Sequence, residues 1–457
     1  MLAMMSIPEI PNDSALPQLA TALDAEAMRA RFQAELFSGA LQRVQACEIE
    51  HVRYKPGKNC TVAYRLEIED QHNHLREEQH YGARMFAAGI SASRHVKALA
   101  QQLATPRYGK PVLHFEDLAL VAWAFPNDRK LHGLPKLVDE RALQNGLLSP
   151  LVANHCGGGW IIVEAQPHLI HYVPEHTCTI RTVVKVRHQQ THEARSVVLF
   201  GKTYFDAEGE EAYRNMQQLW ESAARRTGVL RMAQPLAYEA QHKILWQMGL
   251  RGATLLEQDI LAPHFLSLLP AAAANVAALH RTEIACSRTL ARDDIHAKLV
   301  EVRDLLEAVR PEYAGALETV VQRLLAQSDR LADMPLATLH GDLHLKNFFV
   351  DGRDVYLIDL DNLCRGSAYH DLGSFIAGLH YRGLSTSAPE ESISQIVEVF
   401  MSAYQTYAAW PLSQAALNWY IAAALISERV FRCITRLKAA RVGMMPKLIA
   451  RAHELVA

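Results

Sequence analysis

TLHGDLHLKNFFVDGRDVYLIDLDN, residues 338–362, is a short β-rich island between two long helical tracts, and its reading decides the fold. It gathers His340, Asp342, His344 and Asn347, then Asp359 and Asp361. A turn at Asp351-Gly352 joins two apolar strands, LKNFFV and VYLIDL. Phosphoryl transfer from a nucleotide asks few groups of a protein. One carboxylate orients or deprotonates the acceptor hydroxyl, and a carboxylate and an amide oxygen hold the metal ions that neutralise the phosphates. Asp342 and Asn347 stand five residues apart, and Asp359 follows the hairpin, so the island can converge a base and two metal ligands. A metal-dependent hydrolase is a second reading. On a strand, His340, Asp342 and His344 would share one face and could bind a metal. Such a site needs further ligands, yet no HExxH and no zinc-finger pairing of Cys with His occurs among the 22 histidines and seven cysteines. That reading also leaves Asn347 and LIDLD without a role.

On both sides of the island the chain reads as helix. Segments 255–330 and 390–457 carry long apolar periodicity with few β-branched runs. Residues 260–280 contain no Asp, Glu, Lys or Arg, but Pro263, His264, Pro270, Asn275 and His280 argue against a membrane span. Two helices broken at Pro270 and packed on a core are expected there.

Toward the N-terminus lies an internal repeat. YKPGKNCTVAYRLEI begins at Tyr54 and YVPEHTCTIRTVVKV at Tyr172. YGARMF (81–86) answers FGKTYF (200–205), and a helical segment follows each: SASRHVKALAQQLA, then GEEAYRNMQQLWESAARR. PVLHFED (111–117) and PLAYEAQ (235–241) then lead into strands bearing Trp123 and Trp246. Each copy reads strand–loop–strand–strand–helix–strand–strand. Residues 134–160 join the copies, with Gly157-Gly158-Gly159 expected to act as a flexible joint. His168 and His171 read as incidental strand residues. Residues 16–46 read as one or two helices.

Composition bounds the rest. The 457 residues carry 47 basic and 49 acidic side chains, a net charge of −2, so there is no global basic field for nucleic acid or an anionic membrane. At 49% hydrophobic and 21% charged, the chain has apolar surface for more than one core. Cysteines at 47, 60, 156, 178, 286, 364 and 433 are odd in number and form no CxxC, which fits reduced thiols in the cytoplasm. MLAMMSIPEIPNDS lacks the basic and apolar regions of a secretory leader.

HGDLHLKN with LIDLD resembles the signature of the aminoglycoside phosphotransferase and choline kinase-like family, HGDLHxxN followed by IDxx. Leu279-His280 resembles the family's LH at a helix end, Gly252 the glycine after the hinge, and Asp371-Leu372 the DL step whose carboxylate braces the catalytic loop. The resemblance covers about residues 165–457. It implies an α+β, protein kinase-like bilobal fold: an antiparallel-sheet nucleotide lobe and a mainly helical C-terminal lobe, here preceded by a degenerate, duplicated nucleotide lobe. The expected domains are a helical lead-in (1–48), the degenerate repeat (49–150), the nucleotide-binding lobe (151–250) and the helical lobe with catalytic loop and acceptor site (251–457).

The resemblance also implies roles. Asp342 takes the place of the catalytic base, and His344 a place near the transferred phosphate. Asn347 and Asp359 take the places of the Mg2+ ligands. Lys202 resembles the lysine of the α- and β-phosphates, with Glu211 as its helix partner and Glu210 and Glu221 as rivals. Gln247, Met248 and Gly249 match the adenine hinge. The implied reaction is Mg2+-dependent transfer of the γ-phosphoryl of ATP or GTP to a small-molecule hydroxyl, with no nucleic acid and no membrane span. The extra lobe offers a surface for oligomer formation. Three departures stand out: Lys346 replaces a small residue, the phosphate-covering loop PEHTC (174–178) has no glycine, and Ala83 stands opposite Lys202 in the first copy. The glycine-free loop and the extra lobe keep a nucleotide-binding pseudokinase as an alternative. Segment 428–457 holds Arg429, Arg432, Arg436, Lys438, Arg441, Lys447 and Arg451 against Glu428 and Glu454. That balance disfavours a polycationic acceptor and favours a sugar or other neutral or anionic metabolite.

Overall fold

The computed structural model describes residues 10–457 except 38, 40, 73, 74, 88 and 333. Most of MLAMMSIPEIPNDS, read above for a leader, lies outside the described residues. The chain forms two compact units. One comprises the chain up to Gly209 with Leu236–Gln247 and Thr435–Leu437; the other comprises Glu210–Pro235, Met248–Ile434 and Lys438–Ala457.

The first unit is built on two antiparallel sheets of identical wiring. β1 (Gln42–Lys55), β2 (Asn59–Asp70), β3 (Leu75–Phe86), β4 (Val112–Phe115) and β5 (Leu120–Ala124) run in the order β1-β2-β3-β5-β4. β6 (Trp160–Val173), β7 (Thr177–His188), β8 (Ala194–Tyr204), β9 (Pro235–Glu239) and β10 (Ile244–Met248) run β6-β7-β8-β10-β9. Period-two burial makes these strands: Cys178, Ile180, Thr182, Val184 and Val186 turn inward while Lys185 and Arg187 face solvent. The registers repeat too, with Tyr54 opposite Cys60 and Tyr172 opposite Cys178. β1 slips between Val44 and Ala46, and β6 slips at the matching place, between Ile162 and Glu164. A helix follows the third strand of each sheet, Ser91–Leu99 and Glu208–Glu221.

The duplication reaches back into the lead-in. Asp13 Oδ2 accepts from Tyr54 Oη (2.8 Å) and from the Gly57 amide (2.8 Å). Asp128 Oδ2 accepts from Tyr172 Oη (2.7 Å) and from the Glu175 amide (3.0 Å). Both aspartates sit in a Pro-Asn-Asp triplet, 11–13 and 126–128. The glycine run at 157–159 ends the helix Ser149–Cys156. Gly157 caps it at φ +88°, and Gly159 at φ +84° turns the chain into β6.

The second unit is mainly helical. Its helix Pro263–Arg281 runs unbroken through Pro270, contrary to the expected break. An interior proline costs about 3 kcal/mol. Burial of Leu268, Leu269, Ala272, Ala273, Val276 and Leu279 along one face offsets that cost. Two small sheets carry the island. β11 (Ala253–Thr254), β14 (Phe348–Asp351) and β15 (Asp354–Leu357) form one, with Asp351 opposite Asp354 across the turn expected at Asp351-Gly352. β12 (Thr289–Leu290), β16 (Cys364–Ser367) and β13 (Leu336–Leu339) form the other. Among the described residues no helix is long and apolar enough to cross a membrane.

Candidate active site

β13 ends at Leu339, and the chain turns sharply through His340 and Gly341. One buried carboxylate sets that turn. Asp371, in the first turn of the helix Tyr369–Thr386, accepts from the His340 amide (2.6 Å) and the Gly341 amide (3.0 Å). His280 Nε2 donates to the same carboxylate at 3.1 Å, while its Nδ1 accepts from Tyr404 Oη at 2.7 Å. Burial pushes Asp371 up, but the hydrogen bond from His280, with His370 and His340 close by, holds it well below the usual carboxylate range. His340 Nε2 donates to the Ile358 carbonyl at 2.9 Å, tying the turn to the end of the hairpin. His340 is thus spent on structure, and residues 340–344 are not a strand. Among the described residues no three His, Cys, Asp or Glu side chains gather as a metal cluster, so the geometry lends the hydrolase reading no support.

Gly341 has φ +79°, and a Cβ there would overlap the Asn362 carbonyl. Gly341→Ala is therefore expected to cost at least about 1–2 kcal/mol from the left-handed backbone alone, read as a lowered melting temperature.

Beyond the turn, Asp342 heads the loop that carries the remaining candidates. His344 Nε2 lies 3.4 Å from Asp342 Oδ2, and Arg432 Nη2 lies 3.2 Å from Asp342 Oδ1. Burial raises the Asp342 carboxyl, but the hydrogen bond and charge of His344, with Arg432 and His340, outweigh it and hold the group well below the usual range. A single 3-10 turn, Leu345–Asn347, then delivers Asn347. Its Nδ2 donates to the Asp342 carbonyl at 2.9 Å, and its own carbonyl accepts from the Ile358 amide at 3.0 Å. Asn347 Oδ1 is buried and accepts no hydrogen bond. An orphaned buried oxygen is costly, and a hard cation that prefers oxygen ligands relieves it. Asp359, just past β15, has φ +58°, a conformation that aspartate tolerates better than most residues. Asp342, His344, Asn347 and the start of LIDLD are thus brought together by the island's own hydrogen bonds.

Arg432 was visible only as one charge of a basic tail. It comes from the helix Phe431–Arg436, which follows a π-helical stretch, Leu425–Val430. Beside it Arg429 is 5% exposed, donates to the Ser374 carbonyl at 3.0 Å and lies 3.3 Å from Glu428.

Lys202 lies on β8 opposite Thr179, in the unit of the two sheets. Gln247 ends that unit's second segment, and the chain re-enters the helical unit at Met248, whose amide donates to the Gln234 carbonyl at 2.9 Å, with Gly249 next. Glu211 lies on the helix Glu208–Glu221, and its carboxylate accepts from Ser287 Oγ. Gln218, two turns on, exchanges bonds with Ala285 (2.8 and 3.2 Å), so this helix face is fastened to the 285–287 loop.

The model of the Phosphotransferase enzyme family matches residues 185–411. That segment belongs to the family. It contains β8 with Lys202, the helix with Glu211, residues 247–249, the island 338–362 and Asp371; the sheet β1–β5 and Arg432 fall outside it. The antiparallel sheet β6–β10 with its following helix, the mainly helical unit and the island make up a protein kinase-like α+β fold, preceded by the extra sheet. No curated protein matches the chain. Among solved structures, the chain is similar to a thermostable mutant of aminoglycoside phosphotransferase APH(4)-Ia at 14% identity and TM-score 0.45, covering 67% of this chain and 97% of that one. It is similar to aminoglycoside phosphotransferase APH(3'')-Id from Streptomyces rimosus at 19% identity and TM-score 0.38, covering 60% and 95%. It is also similar to a choline/ethanolamine kinase family protein from Mesorhizobium loti at 15% identity and TM-score 0.42, covering 68% and 97%.

Proposed function

We propose that this phosphotransferase is a cytoplasmic small-molecule kinase that moves the γ-phosphoryl of ATP or GTP to a hydroxyl of a sugar or other small metabolite. The observation that carries the reading is the pairing of Asp342, ionised and held by His344 and Arg432, with the orphaned oxygen of Asn347 in one loop. Asp342 accepts the hydrogen bond of the acceptor hydroxyl, orients its oxygen and takes the proton as the new P–O bond forms, while the nucleoside diphosphate leaves with the electron pair of the broken bond. Asn347 Oδ1 and Asp359 would hold Mg2+, which would supply charge neutralisation for the phosphates. His344 and Lys202 add positive or hydrogen-bonding groups along the polyphosphate, Glu211 supports the helix behind Lys202, and Gln247, Met248 and Gly249 offer backbone groups to the base. Arg432 beside Asp342 repels a cationic acceptor and suits a neutral or anionic one. The division at 150 and 250 is part of this reading, with the first boundary before β1 at Gln42 instead of at 48; the first sheet is a lobe that lacks its own catalytic half and offers a surface for self-association.

The test is a panel of sugars, polyols and hydroxy acids incubated with protein, Mg2+ and γ-labelled ATP or GTP, run beside thermal shifts with each Mg-nucleotide. Label transfer to one class of hydroxyl and a nucleotide-dependent rise in melting temperature are expected. A thermal shift without transfer to any acceptor points to a nucleotide-binding regulator. No shift and no transfer overturns the kinase reading.

A further inference from the structure

The turn between β6 and β7, PEHTC (174–178), is the place where the kinase reading needs a loop over the nucleotide phosphates, and it lacks glycine. Its tip, Glu175, is nonetheless left-handed at φ +62°. The same place in the first copy is Gly57 at φ +67°. Both turns hang from an equivalent aspartate, Asp13 or Asp128, which holds the equivalent tyrosine and the tip amide. Glycine takes that conformation without strain, so the first copy shows what the turn itself requires. At that tip the second copy puts a carboxylate and buries it, 7% exposed.

That carboxylate is gripped from outside its own sheet. Arg129, just after β5 of the first copy, donates Nε to Oε1 (2.6 Å) and Nη2 to Oε2 (2.7 Å), a two-pronged fork. Arg84 of β3 donates to Oε2 as well. Burial raises the Glu175 carboxyl, but the two arginines hold it below its ordinary value, so it stays ionised. Arg84 stands one place after Ala83, the position matching Lys202. The first copy has thus lost the phosphate lysine and carries, beside it, a cation aimed at the other copy's loop. The flank of the turn is seated too: a Cβ at Gly82, in β3, would overlap Tyr172 Oη and lie 3.0 Å from Pro174 Cβ. The next residue, His176, is pushed down to about 4 by burial, with Arg53, Lys202 and Arg436 adding to the effect. The turn therefore faces cations while presenting a neutral imidazole of its own at neutral pH.

We propose that the N-terminal copy is a brace for the phosphate-covering loop. Arg84 and Arg129 hold Glu175 as positioning residues, replacing with ion pairs the preorganisation that a glycine-rich loop gains by closing on its ligand. The inference rests on the kinase reading, because it assigns the loop to the nucleotide. Its consequence is specific: loosening the brace weakens nucleotide binding and leaves acceptor binding alone.

The experiment uses the full chain with Glu175→Gly, which restores the residue of the first copy, and with Arg84→Ala/Arg129→Ala. For each, nucleotide KM, acceptor KM and amide hydrogen exchange at 174–178 are measured. Both variants are expected to raise nucleotide KM about tenfold or more with acceptor KM unchanged within about twofold, and to speed exchange at the turn. Combining them should add nothing further, since both cut the same link. Wild-type nucleotide KM and exchange in both variants, in an active enzyme, overturns the brace alone. Additive losses in the combined variant, or equal rises in both KM values, overturn it in favour of a general packing role. Failure of wild-type protein to bind any nucleotide overturns the kinase reading, and the brace with it.

Discussion

Asp342→Asn should lower turnover by roughly 10³-fold while nucleotide affinity stays near wild type; general acid–base groups contribute roughly 10²–10⁴-fold. The substitution keeps the shape of the side chain and leaves the Asp342 carbonyl, which receives Asn347 Nδ2, untouched. It removes the negative charge and one acceptor oxygen. The acceptor hydroxyl then meets an amide that cannot take its proton, and Arg432 loses its ion-pair partner. Single-turnover phosphoryl transfer separates this from a binding defect. Transfer at the wild-type rate would remove Asp342 from the reaction.

Asp371→Asn is expected to be the most destabilising single change in the helical unit. Asp371 is fully buried and accepts from two backbone amides and from His280. An asparagine has one acceptor oxygen, so one of the His340 and Gly341 amides would face its NH2 group. Removing one partner from a buried charged network costs about 3–5 kcal/mol, and about 2–4 °C of melting temperature accompanies each kcal/mol in a unit of this size. The pH dependence gives the sign. Asp371 titrates below its unfolded value in the folded protein. Its contribution is therefore complete above about pH 4 and is lost as the pH falls further. The variant should be less stable at pH 7 and show a shallower loss in acid. A wild-type melting temperature at pH 7 would mean that the turn at His340-Gly341 is held by something else.

The fold and the centre of the site were legible for different reasons. Strand order could be read from the repeat because each strand writes its period in sequence, as in TCTIRTVVKVRH, and because two copies confirm each other. The island could be read because its donors and acceptors lie within some twenty residues and the hairpin between them is short. The rest depended on distance along the chain. Nothing near Arg432 marks it as a neighbour of Asp342, 90 residues away. Glu211 could not be separated from Glu210 and Glu221 because all three lie in one helix, and its bond to Ser287 comes from packing. Pro270 was read as a break because local propensity forbids it; the buried face on either side overrules that penalty. One signal was present and unread: the triplet Pro-Asn-Asp at 11–13 and 126–128. It extends the repeat to the aspartates that hold both turns.

The short segment Thr435–Leu437 belongs to the unit of the two sheets although the chain around it belongs to the other. Within that unit Arg436 binds His51 and donates to the Val52 carbonyl at 3.3 Å. Those residues are 384 positions apart, roughly 20–80 s of synthesis at 5–20 residues per second. During that interval every strand of the first sheet has left the ribosome, yet its last fastening does not exist. The first sheet is thus synthesised long before its bonds to Arg436 can form. A chain truncated before residue 435 would hold all ten strands of the two large sheets but lack the Arg436 bonds to His51 and Val52 on β1.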